Sequence, residues 1–119
     1  MEYSIEADAE FLRVKVSGRD TDRPPSEVCE AVLSESLKRG RNRILIELDQ
    51  KFPLSATSQY TLVSRLPEIG FTINHRIALV HKTLEARKSN DFINTVAVNR
   101  GVNVRNFPGL HDAESWLRE

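Results

Sequence analysis

Apolar and polar positions alternate at the start of the chain and then change period. Across residues 2–7, Tyr3, Ile5 and Ala7 share one face. Across 11–17, Phe11 is followed by Leu12, Val14 and Val16, with Arg13 and Lys15 opposite. A period of two predicts two strands, and the short connector Asp8-Ala9-Glu10 predicts that they pair as a hairpin ending at Gly18. From Pro24 the period becomes helical. Pro24-Pro25-Ser26 opens a helix, Val28, Val32, Leu33 and Leu37 form its expected buried stripe, and Gly40 is its expected C-cap. Glu27 and Glu30 near its start, and Lys38 and Arg39 near its end, suit the helix macrodipole.

Ile44-Leu45-Ile46-Glu47-Leu48 is a nearly unbroken apolar run, the pattern of a central parallel strand buried on both faces. Ser55 is a plausible cap for the next helix, with Ala56, Tyr60, Val63 and Leu66 on its inner face and Leu62 widening it. Pro67 is expected to kink or end that helix, and Gly70 to stop the segment. Arg76-Ile77-Ala78-Leu79-Val80 reads as another buried strand, and Thr83 to Arg100 as mostly helical, ending at Asn99-Arg100-Gly101. The polar residues of 102–107 place the last strand at a sheet edge. After Pro108-Gly109 a final helix packs Leu110, Ala113, Trp116 and Leu117. The predicted order is β-β-α-β-α-β-α-β-α: one α/β domain over 1–119, with a mixed, mostly parallel sheet opened by a hairpin and covered by four helices.

The chain has 119 residues, enough for one core. Its formal net charge is zero, which argues against a nucleic-acid partner. The single cysteine, Cys29, excludes an intramolecular disulfide and a cysteine-rich zinc site. It lies beside the first helix's stripe and is expected to be an inert thiol. A charged start unlike a signal peptide, and the lack of any apolar run near the ~20 residues that span a bilayer, predict a cytoplasmic protein. His75, His81 and His111 have no ligand spacing, so no metal is expected. No nucleophile, base and orienting group converge in the sequence. No enzyme, catalytic residue or cofactor is therefore expected.

Ligands of open α/β sheets tend to bind beyond the C-terminal ends of parallel strands. Here that rim collects Asp49, then Ser55, Thr57, Ser58 and Tyr60, then His81, Lys82 and, farther on, Arg87. A helix start rich in hydroxyls suits an anion, although Ser55 and Thr83 serve equally well as plain caps. Lys82, Arg87 and Lys88 suit anionic headgroups and peripheral membrane contact. Lys38-Arg39-Gly40-Arg41-Asn42-Arg43 is the densest basic run, and its place at a helix C-terminus accounts for it.

Several strings together resemble the SpoIIAA-like family of small bacterial proteins, whose fold is akin to STAS and CRAL-TRIO domains. They are Tyr3-Ser4-Ile5-Glu6, Phe11-Leu12-Arg13-Val14-Lys15-Val16-Ser17-Gly18, Arg76-Ile77-Ala78-Leu79-Val80, and Phe107 with Ala113-Glu114-Ser115-Trp116-Leu117. The resemblance covers nearly the whole chain and implies a STAS-like sheet. It also implies two kinds of function. As in STAS antagonists, a serine after the central strand, here Ser55 or Ser58, would be phosphorylated by a partner kinase, and the domain would act through regulatory protein interaction. Leu54-Ser55-Ala56-Thr57 stands where those proteins carry Asp-Ser-Ser-Gly. The CRAL-TRIO likeness implies instead a carrier or sensor of a lipid-like apolar molecule, with reversible membrane contact through 82–92. Homodimerisation through the edge strand 102–107 or an exposed helix face is compatible with either.

Overall fold

The computed structural model describes residues 2–17, 25–49, 64–81 and 101–119. Five strands form one sheet: β1 (Glu2–Ala7), β2 (Leu12–Ser17), β3 (Arg43–Asp49), β4 (Arg76–His81) and β5 (Asn103–Phe107). Their spatial order is also their chain order, β1-β2-β3-β4-β5. β1 and β2 pair antiparallel, as the alternating pattern predicts, and every later pair is parallel. β5 lies at an edge of this sheet, in keeping with its polar sequence.

Side chains alternate across the sheet and define two cores. On one face Leu12, Val14, Val16, Ile44, Ile77 and Val104 pack beneath α1 (Pro25–Arg39) and beneath α2, the helical residues 64–69, which contribute Val28, Val32, Leu33 and Leu66. On the other face Phe11, Leu45, Ala78 and Val80 meet Ala113, Trp116 and Leu117 of α3 (Leu110–Arg118). Ile44 and Leu45 are both fully buried, so the centre of β3 is covered on both faces, as its apolar run predicts. The described parts form three layers, helix on sheet on helix.

Two expectations change. Leu37 is 68% exposed, and Ser36 is fully buried in its place. The buried stripe runs through Val28, Val32, Leu33 and Ser36, with Cys29 half-buried beside it. The Ser36 hydroxyl reaches the core because it donates to the Arg41 carbonyl at 2.5 Å, at the turn into β3. Leu110 is 41% exposed, since the first turn of α3 overhangs the sheet and burial begins at Ala113. Of the two roles expected of Pro67, ending the helix is excluded: α2 continues to residue 69 and stops at Gly70, as expected, where Gly70 and Phe71 both donate to the Leu66 carbonyl. The helix expected over Thr83 to Arg100 lies outside the described residues.

Glycine closes α1 and α2. Gly40 has φ +66° at the expected C-cap. Gly70 has φ +129°, and its bare Cα sits against Leu33 of α1.

Candidate functional site

The parallel strands give the sheet two chemically different ends. At their C-terminal ends, β3 finishes at Asp49 and β4 at His81. The two strands are neighbours, with Leu48 opposite His81 in register. The sheet therefore places these two predicted positions at the ends of adjacent strands, one register position out of line with each other. Segments 50–63 and 82–100, which carry Ser55, Thr57, Ser58, Tyr60, Lys82 and Arg87, begin at this rim. Those six residues lie outside the described ones. The order of the described strands never reverses, and α1 and α2 pack into the same core. The crevice that a reversal opens in doubly wound sheets is thus not formed by β2, β3 and β4.

The opposite end is locked by charge. Asp8, in the hairpin connection, accepts hydrogen bonds from the backbone N–H groups of Glu10 at 2.8 Å and Phe11 at 2.6 Å, and from Arg13 Nε. The Phe11 N–H, followed by the Arg13 and Glu10 bonds, outweighs desolvation and holds the Asp8 carboxyl at about 2. Arg13 then donates to Glu114 of α3 at 2.9 Å. Arg118, also on α3, grips Glu10 with both arms of its fork, at 2.7 and 3.2 Å. The two guanidiniums lie over Phe11, at 5.6 and 5.3 Å from its ring centre. Hairpin and final helix are thereby clamped across the buried phenyl ring. Every charge in this cluster has a partner, so the arrangement orders the fold and presents no free acid, base or nucleophile.

The turn leading into β4 holds a buried histidine. His75 is 6% exposed. Its Nδ1 accepts the Thr72 N–H at 3.1 Å, which places the ring proton on Nε2 in the neutral form. Nε2 has no hydrogen-bond partner among the described residues. Burial disfavours the charged ring and pulls its pKa below the ordinary value. Phe71 meets the ring edge-on at 5.4 Å, so His75 serves as a core group. Cys29 is likewise a core group. Burial pushes its thiol up to about 12, leaving it protonated and unreactive at neutral pH.

Two further features escape a reading of sequence alone. An open groove of about 330 Å³ runs between β1 and α1, lined by Tyr3, Ser4, Ile5, Ala31, Ser34 and the ion pair Glu35–Arg39. A group of arginines also gathers on one face of the sheet, from the starts of β3 and β4 and the middle of β5. The basic run before β3 was its only signal in the sequence. Among the described residues no group of three His, Cys, Asp or Glu side chains is placed to hold a metal ion. Nor is any helix among them long and apolar enough to cross a membrane. No family model, no curated protein and no solved structure matches the chain.

Proposed function

We propose that this chain is a non-enzymatic binding module of the SpoIIAA-like, STAS-like kind, working through regulatory contact with another protein. The observation that carries this reading is the polarity of the sheet. One end is clamped by the Asp8–Arg13–Glu114 and Glu10–Arg118 bonds. The other end launches segments 50–63 and 82–100 from adjacent strands, at Asp49 and His81. A rigid sheet that presents two neighbouring segments suits recognition, because binding residues gather on connections held by a firm scaffold. Asp49, Ser55, Thr57, Ser58, Tyr60, His81, Lys82 and Arg87 are the residues assigned to that surface, with Ser55 or Ser58 as the phosphate acceptor.

The carrier reading ranks second. The groove between β1 and α1 is open and partly polar. It therefore gives no support to an enclosed apolar ligand.

The test is affinity capture from the native cells with the wild-type chain and with a Ser55→Ala/Tyr60→Ala variant, paired with native mass spectrometry of the wild-type protein. A partner held by the wild type and lost by the variant supports the reading. A lipid-sized adduct, with no partner sensitive to the variant, replaces it with the carrier reading.

A further inference from the structure

Arg43 and Arg76 are directly opposite each other on β3 and β4. Both belong to the outer set of side chains, with Leu45 and Ala78, that faces α3. Like charges directly opposite in a sheet repel and destabilise the pair. Arg105 adds a third charge on the same set, since its register partner is Ala78, two residues along β4 from Arg76. Arg76 and Arg105 both lie over the Trp116 ring, at 5.6 and 5.8 Å from its centre.

The fold compensates only part of this charge. Arg76 spends one N–H on the Trp116 carbonyl, at 2.9 Å, at the negative end of α3. In the basic run before β3, Arg39 is paired with Glu35, and Arg41 donates to the Asp8 and Arg39 carbonyls. Arg43 is exposed, as is Arg105. Among the described residues, the ion pairs use Asp8, Glu10, Glu35, Glu68 and Glu114, and none reaches Arg43, Arg76 or Arg105.

We propose that Arg43, Arg76 and Arg105, which share the face of the sheet toward α3 with Arg76 and Arg105 over Trp116, form a binding site for a phosphate group. A guanidinium carries five donors in a planar fork, so most of the donors here are free to engage an oxyanion. A carboxylate satisfies one fork. A phosphate has the extra oxygens and the second charge to bridge forks on neighbouring strands and offset their repulsion. Arg76, fixed by its hydrogen bond and by the indole face, supplies the preorganised contact, and the two exposed arginines close on the anion. This site takes in the starts of β3 and β4, away from the surface assigned to protein recognition at their C-terminal ends, and does not depend on that assignment.

Trp116 is the only tryptophan in the chain, so its emission reports on this site alone. The experiment titrates the full chain with inorganic phosphate, and separately with glycerol 3-phosphate, against chloride at constant ionic strength. A saturable emission change in the millimolar range is expected, weakened at least tenfold in Arg43→Gln/Arg105→Gln. Both replaced residues are exposed, so the variant should keep the native circular dichroism. In chloride it should melt at or above the wild type, and phosphate should raise the melting temperature of the wild type only. Saturation by both ligands assigns a phosphate carried on a larger molecule, and saturation by inorganic phosphate alone assigns the free ion. Saturation by neither, or saturation unchanged in the double variant, overturns the proposal.

Discussion

Gly70 and Leu33 are in such close approach that a Cβ built on Gly70 would fall 2.8 Å from Leu33 Cδ2. That contact joins the end of α2 to the inner face of α1. Gly70→Ala should therefore cost stability twice, through the clash and through φ +129°, by about 2 kcal/mol or more. Gly101→Ala is the control. It shares a positive φ of +74° but meets nothing within 4 Å, so about 1 kcal/mol is expected. Urea unfolding of the two variants checks the ranking, and equal losses would contradict the close approach.

The buried neutral His75 makes stability depend on mild acid. Its folded pKa lies below 6.5, so the unfolded chain binds more protons in the window beneath that value. Stability should be fully present above pH 6.5 and fall as the pH drops below it toward the folded pKa. His75→Gln should be less stable at pH 7.5, yet lose less on going to pH 5.5. Melting temperatures at the two pH values give the comparison.

Asp8 acts in a lower window. Its carboxyl falls from 3.8 in the free group to about 2, so its contribution is present above pH 3.8 and lost as the pH falls toward 2. The side chain is 39% exposed, and solvent screening limits the ionic part to about 1 kcal/mol. Asp8→Ala also strands the Glu10 and Phe11 N–H groups, bringing the expected loss at pH 7 to about 1–2 kcal/mol. Asp8→Asn should retain part of this, since an amide oxygen can still accept one of those bonds. Urea unfolding at pH 7 and pH 3 should show the gap between wild type and variant narrowing in acid.

On α1, Ser36→Ala should be harmful and Leu37→Gln nearly silent, the reverse of what hydrophobicity alone suggests. Ser36 is fully buried and bonded to the Arg41 carbonyl, so its loss should cost about 1 kcal/mol. Leu37 is largely exposed, and a change there should stay within about 0.5 kcal/mol. Chemical denaturation decides the order.

The same pair shows what the sequence could and could not convey. Strict alternation made β1 and β2 legible, and an apolar run made β3 legible, because burial on one or both faces forces those patterns. Helical spacing placed α1, but it could not tell Leu37 from Ser36, since both fit a 3.6-residue period within one position. The bond from Ser36 to the Arg41 carbonyl just past the helix end favours Ser36. The predicted rim was legible as positions: Asp49 and His81 do end adjacent strands. Ser55, Thr57, Ser58, Tyr60, Lys82 and Arg87 lie outside the described residues. The arginine group was invisible for a different reason. Arg43, Arg76 and Arg105 are far apart in the chain, and only the register of three strands brings them together.

The strand order carries a consequence for how the chain folds. Because each strand pairs with its predecessor, the sheet can extend strand by strand in the direction of synthesis, closing one connection at a time. The clamp between Glu10 and Arg118 is different: it joins residues 108 positions apart. It cannot form until the chain has been made past Arg118. Until then Phe11, Leu45, Ala78 and Val80 lack the Ala113, Trp116 and Leu117 that pack against them among the described residues. Docking of α3 thus completes this core only at the end of synthesis, when a nascent chain is most exposed to misassociation.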